Sequence, residues 1–323
     1  GNTYLDWPSG VLVTNVGHCH PKHVAAIRNQ VGRLLCPYDF PTPERVTLAK
    51  RMVEITPENL DACFMLTTGS EATEAAMRIA KRYTGRHEII SFWGGFHGRT
   101  LGAMSAAGNM NTKKRYGPAL TGHIQVPYPY AYRCPFDTDD PQECGRLCLE
   151  FLDRAVATET TGDLAAVIVE PYQGGAGFIF PPEGWLTQLE AWCRANDALF
   201  ILDEVQSSFG RTGKMFMAEY EGLTPDFMPV GKGIGSGMPT ACLMTEKRIM
   251  EIFSPGELSS TTGGNPVSCA ATHAVLDIFE EEGLVENSAR MGEYMLGRLQ
   301  NLQAKSDFLG DVRGKGLVIG MEF

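Results

Sequence analysis

The chain has 323 residues, 43% of them hydrophobic and 20% charged, a mix that excludes intrinsic disorder as the main state and suits about two domains. Its 28 Lys and Arg against 38 Asp and Glu leave a formal charge of −10, which argues against a nucleic-acid or anionic-membrane surface but leaves room for a small anion in a basic pocket. The longest apolar runs, such as Leu164–Val169, fall far short of the roughly 20 residues that cross a bilayer. Nine scattered cysteines, an odd number, do not read as a disulfide framework and favour a reducing compartment. Gly1–Pro8 has no basic stretch followed by an apolar one, so a cytoplasmic location without a secretory signal is expected. Both ends look abrupt, Gly1 opening into a strand-like Thr3-Tyr4-Leu5 and Leu317–Phe323 closing inside a strand; a trimmed targeting peptide fits that pattern.

In chain order the patterning predicts a helix over Pro43–Ile55, a strand over Ala62–Leu66 and a helix over Glu71–Tyr83. The last is the clearest, with Ala72, Ala75, Ala76, Ile79, Ala80 and Tyr83 at helical spacing. Strands are expected at Glu88–Trp93 and His123–Val126, then a proline-rich, aromatic surface excursion over Pro127–Asp140. A helix at Cys144–Ala157, a strand at Leu164–Glu170, a helix at Glu183–Asn196 and a strand at Ala198–Asp203 follow. Strands at Phe227–Val230 and Ala241–Met244 precede helices at Pro266–Glu282 and Val285–Ala304. This alternation predicts an α/β fold with a largely parallel sheet, whose ligands bind at the carboxyl ends of strands.

Three strand ends carry candidate chemistry. Leu66-Thr67-Thr68-Gly69-Ser70-Glu71 runs from strand into helix, and the free amides and dipole of a helix start suit a phosphate. A plain serine cap is the alternative. Leu199–Leu202 delivers Asp203 and Glu204 at a strand end; alone, this reads as a turn-capping aspartate. In Gly231-Lys232-Gly233 a lone lysine sits in a glycine loop. A phosphate-gripping P-loop needs Ser or Thr after the lysine, so the loop better suits a desolvated Schiff-base lysine than a P-loop. A solvated surface lysine is the alternative. Together, a phosphate cradle, a strand-end carboxylate and a confined lysine are what pyridoxal 5'-phosphate requires.

With these segments and Gly17-His18-Cys19-His20-Pro21, Phe96-His97-Gly98-Arg99-Thr100, Glu170-Pro171-Tyr172-Gln173-Gly174, Phe209-Gly210-Arg211-Thr212-Gly213 and Thr261-Thr262-Gly263-Gly264-Asn265-Pro266 in order, the chain resembles the class III pyridoxal-phosphate aminotransferases along its whole length. The resemblance implies fold type I: a large domain with a mostly parallel seven-stranded sheet flanked by helices, and a small α+β domain built from both chain ends. It places an N-terminal segment at 1–42, the cofactor domain at 43–282 and the start of the small domain at 283–323. Gly69 and Ser70 would hold the phosphate, Phe96 and Val205 would cover the two ring faces, Asp203 would pair with the ring nitrogen and Gln206 would reach the ring hydroxyl. Lys232 would carry the Schiff base and shuttle the proton, with Glu170 and His97 supporting Asp203. Thr261 would reach the phosphate of the neighbouring subunit, making a homodimer the minimal active unit. Arg99 would grip a substrate carboxylate and Val11 would line the substrate pocket.

The expected reaction moves an amino group from an amine or amino acid to a 2-oxo acid by a ping-pong mechanism. A racemase, epimerase or aminomutase using the same Lys232 and Asp203 is the alternative. Gly175 departs from the branch acting on ω-amino acids, where glutamate commonly follows Gln-Gly. No metal is expected. His18-Cys19-His20 resembles a structural loop of the family, Cys144 and Cys148 fit one helix face as core, and Met215, Met217, Met228 and Met238 read as gap-filling core.

Overall fold

The computed structural model describes residues 1–323. Nine strands form: β1 Ala62–Leu66, β2 Glu88–Phe92, β3 His123–Val126, β4 Leu164–Val169, β5 Leu199–Leu202, β6 Phe227–Val230, β7 Ala241–Thr245, β8 Asp311–Lys315 and β9 Val318–Glu322. The first seven make one sheet in the order β1-β7-β6-β5-β4-β2-β3. Only β7 runs against its neighbours β1 and β6; the other pairs are parallel. Because β7 reverses direction twice over, β1 and β6 point the same way, and the carboxyl ends of β1, β2, β4, β5 and β6 share one edge. β8 and β9 form a separate antiparallel hairpin.

The sheet is buried on both faces, which is why its strands read as unbroken apolar runs. Phe200 and Leu202 of β5 belong to one core, with Phe92, Val167 and Val230, while Leu199 and Ile201 face the other, with Ile89, Ile168 and Leu243. Helix Gly69–Thr84 crosses the second face with Ala72, Ala76, Ile79 and Ala80 buried. Its small side chains let the helix approach the sheet closely. No helix is long and apolar enough to cross a membrane.

Two sequence expectations are corrected. Thr3-Tyr4-Leu5 is not a strand: it is exposed irregular chain, and neither sheet offers it a partner. The excursion after β3 begins inside the protein, since Pro127, Tyr128 and Pro129 are buried. Tyr128 packs edge-on against Phe92 and Trp185, at 5.9 and 5.3 Å between centroids, and its hydroxyl donates to the Glu170 carbonyl at 3.3 Å. Cys144 and Cys148 are buried on helix Pro141–Glu159, as the helical spacing required. His18 pairs with Asp6, and His20 pairs with Glu282 while capping helix Pro21–Val31.

Candidate active site

A cavity of about 170 Å³ opens at the shared strand edge, lined among others by Gly69, Ser70, Phe96, Asp203, Gln206 and Lys232. Helix Gly69–Thr84 begins there. Thr68, not Ser70, is its cap: the Thr68 hydroxyl accepts from the Glu71 amide at 3.2 Å and the Glu71 carboxylate accepts from the Thr68 amide at 3.1 Å. This reciprocal box leaves the Gly69 and Ser70 amides without intrahelical partners. The Ser70 hydroxyl accepts from the Arg99 amide at 3.1 Å, so its own proton stays available. Thr68-x-x-Glu71 was readable as a capping box in the sequence.

Asp203 follows β5 and is buried. Its Oδ2 lies 2.7 Å from His97 Nδ1, and its Oδ1 accepts from the Val205 amide at 3.1 Å. The turn-capping reading therefore holds, and the carboxylate keeps lone pairs for further donors. Burial pulls the His97 imidazole down, but the hydrogen bond and charge of Asp203 outweigh it and the net shift is upward. Glu170 sits behind the pair, accepting from the Phe96 amide at 2.7 Å and the Gly174 amide at 3.1 Å. Burial raises its pKa to about 7, against the attraction of His97 and with the repulsion of Asp203.

Lys232 follows β6 and is partly buried at φ +46°, a left-handed conformation costing about 1–2 kcal/mol for a residue with a Cβ. Burial lowers its pKa, while Asp203 and Glu170 push back; it is not a solvated surface lysine. The flanking glycines allow close approach: a Cβ on Gly231 would stand 3.1 Å from Val205 Cγ1, and one on Gly233 only 2.4 Å from Asn15 Nδ2. Gly69 is tighter still against Val205, at 2.6 Å. Gln206 passes over Gly174, where a Cβ would fall 1.7 Å from its Oε1. That oxygen is buried with no partner.

A second, larger cavity of about 510 Å³ adjoins the first and shares Phe96, Gln206 and Lys232 with it. Val11, Arg99 and Gly175 line it, so the three expected substrate residues meet in one place. The Arg99 guanidinium stands 5.8 Å from the Phe96 ring centroid. Sequence reasoning missed four further lining residues, Asn109, Asn111, Thr112 and Tyr116, because the helix there, Met110–Lys113, is a single turn and too short for periodicity to betray it. It also gave no role to Tyr172, which lines the first cavity and donates to the Gln206 carbonyl at 3.3 Å. Thr261 lies apart, in an exposed loop where its carbonyl accepts from the Cys36 thiol; it lines neither cavity.

Glu204, next to Asp203, points away into the core. It accepts from the Ala218 amide at 2.7 Å and from the Ser207 hydroxyl, and burial raises its pKa to about 7 from 4.5. Below pH 4.5 it is neutral folded and unfolded; from there to about 7 it is protonated only when folded, so its contribution to stability declines through that window and is least favourable above it. Glu204→Gln is expected to stabilise the protein at pH 8 by on the order of 1–3 kcal/mol and to flatten this decline. Urea denaturation at pH 5 and pH 8 checks it; an unchanged pH slope would refute the assignment.

The fold and this cavity define an enzyme of the α/β class with a lysine and a carboxylate converging beside a helix N-terminus. The chain belongs to the class-III aminotransferase family, whose profile matches residues 1–323. An acetylornithine aminotransferase of Methanothermobacter thermautotrophicus is 40% identical over 323 residues, covering all of this chain and 77% of that protein. An alanine/serine racemase of Pyrococcus horikoshii is 37% identical, covering all of this chain and 69% of its own length. An amine transaminase from an uncultivated Pseudomonas species, solved in its PLP-bound form, superposes with a TM-score of 0.92 at 32% identity, over 97% of this chain and 74% of that one. The fold is fold type I.

Proposed function

We propose that this chain transfers an amino group from a primary amine or amino acid to a 2-oxo acid, in two half-reactions, with pyridoxal 5'-phosphate as cofactor. The convergence of Lys232, Asp203 and the start of helix Gly69–Thr84 on one cavity carries this reading. The residues fit the cofactor. The Gly69 and Ser70 amides and the Ser70 hydroxyl suit its phosphate, the orphaned Gln206 Oε1 suits its ring hydroxyl, and Phe96 and Val205 supply two apolar faces. When bound, the cofactor supplies an electron sink for charge developing on the substrate carbon.

The protein's part is binding, orientation and proton handling. Lys232, whose pKa burial lowers so that the neutral, nucleophilic amine is favoured, serves as the attachment point and carries the proton at Nζ. Asp203, held by His97 and the Val205 amide, stabilises a proton on the ring nitrogen. Glu170 fixes the Phe96 loop through a backbone amide. Arg99 offers a planar two-pronged donor to a substrate carboxylate. Thr261, exposed outside its own cavity, fits a role at the phosphate of a second copy in a homodimer. Residues 43–282 form the cofactor domain, while 1–42 and 283–323 contribute to a small domain; Leu12 and Val318 packing together on Tyr172 supports that pairing of the ends.

The relative named a racemase favours a second reading, isomerisation with the same Lys232 and Asp203 and no release of an oxo product. Product analysis separates the two: appearance of a 2-oxo acid or aldehyde from the donor supports transfer, and an inverted amino acid as sole product overturns it. The donor class follows from Gly175. With no side chain there, a cationic carboxylate-binding group in the cavity cannot be neutralised from this position when a substrate with a distant carboxylate reacts. In single turnovers, 4-aminobutyrate is therefore expected not to be the fastest among an ω-amino acid, an α-amino acid and a neutral amine. Finding it fastest by about tenfold, or about 1.4 kcal/mol in barrier, would refute this argument.

A further inference from the structure

Ser9, Gly10, Val11 and Leu12 have φ of +51°, +61°, +65° and +60°. Such a run is a left-handed turn, and three of its four residues carry a Cβ that this region disfavours. Within it, the Leu12 amide donates to the Pro8 carbonyl at 2.7 Å, and the Val13 and Thr14 amides donate to the Ser9 carbonyl at 2.9 and 3.0 Å. These local bonds do not offset strain at three non-glycine positions within four residues, so contacts from outside must hold the turn.

Leu12 packs on Tyr172 and Val318. The other hold is Arg211, whose guanidinium spans two acceptors: Nη1 donates to Ser9 Oγ at 3.4 Å and Nη2 donates to Asn15 Oδ1. Asn15 in turn donates to the Phe209 carbonyl at 2.6 Å, and its amide lies against Gly233, the residue after Lys232. From the other side, the Arg211 carbonyl accepts from the Leu317 amide at 3.0 Å and from the Ser288 hydroxyl at 3.1 Å. The guanidinium is unusual in having no carboxylate partner: its two acceptors are neutral, its Nε is buried and unpaired, and burial lowers its pKa. A half-satisfied buried cation is a liability unless its geometry is needed.

We propose that Arg211 is a positioning residue for substrate binding: its forked guanidinium clamps the left-handed Ser9–Leu12 turn to Asn15 and thereby sets Val11 in the wall of the donor cavity beside Lys232. The clamp rests on the aminotransferase reading only for what the cavity binds. Lysine offers one point charge and cannot span both acceptors as the planar fork does.

The test uses the cofactor-loaded, full chain carrying Arg211→Lys or Asn15→Ala. Hydrogen exchange at the Leu12, Val13 and Thr14 amides is expected to accelerate by about tenfold or more in both, with β4 and β5 unchanged. The KM of the preferred donor is expected to rise about tenfold while kcat stays within about threefold, the signature of lost substrate positioning. Unchanged exchange in the turn, or a fall in kcat at constant KM, overturns the clamp. If Arg211→Lys does not fold, Asn15→Ala decides on the same readouts. A wild-type protein without transaminase activity would overturn the functional reading but leave the exchange result to judge the clamp.

Discussion

Lys232→Ala is expected to lower turnover by about 10⁴-fold or more, since in the proposed mechanism this amine both anchors the cofactor and moves the proton, and positioned proton transfer alone contributes roughly 10²–10⁴. Burial lowers the pKa of this amine, while the charges of Asp203 and Glu170 act in the opposite direction. The left-handed backbone at Lys232 and the two flanking glycines aim the side chain into the cavity rather than along the sheet edge. Borohydride reduction of the loaded protein followed by peptide mapping should find the cofactor on Lys232 alone. A variant without Lys232 that still attaches the cofactor through another lysine would sink the assignment.

Asp203→Asn should keep the fold and lose most of the activity. The substitution preserves volume and an acceptor for the Val205 amide, but it removes the charge proposed to stabilise a proton on the cofactor ring. A charge-assisted hydrogen bond in a sheltered site contributes roughly 1.5–3 kcal/mol to binding. Loss of electrostatic stabilisation where charge develops typically costs about 10²–10³ in kcat. Cofactor affinity and kcat should therefore both fall, with kcat the more affected. His97, which Asp203 holds in its raised-pKa state, loses its partner as well, so the His97 imidazole signal should move to lower pKa in a proton NMR titration. Near-normal turnover with a shifted His97 would separate the two roles and remove Asp203 from the chemistry.

Much of this site was legible in the residues themselves. The apolar run Leu199–Leu202 ending in Asp203, the glycine loop around Lys232 and the strand-to-helix junction at Gly69-Ser70 are local patterns, because a sheet buried on both faces demands continuous apolar strands and its functional groups follow at their ends. Secondary structure was legible for the same reason, down to helix Pro43–Ile55 and strand Ala62–Leu66. Sequence reasoning failed where structure depends on a distant partner. Thr3-Tyr4-Leu5 has strand-forming residues but no strand beside it, and Tyr128 is buried only because Phe92 and Trp185 come to meet it.

The sequence by itself determined the α/β class and put Gly69-Ser70, Asp203 and Lys232 at the strand ends that meet in one cavity. Those depend on periodicity and on the chemistry of single side chains. Only the tertiary structure decided that Asn109 and Tyr116 line the same cavity as Arg99 and that Arg211 bridges Ser9 and Asn15. These are contacts between residues as far as 202 positions apart, set by strand order and by the reversal at β7, and no local pattern encodes which remote backbone or side chain will complete a hydrogen bond.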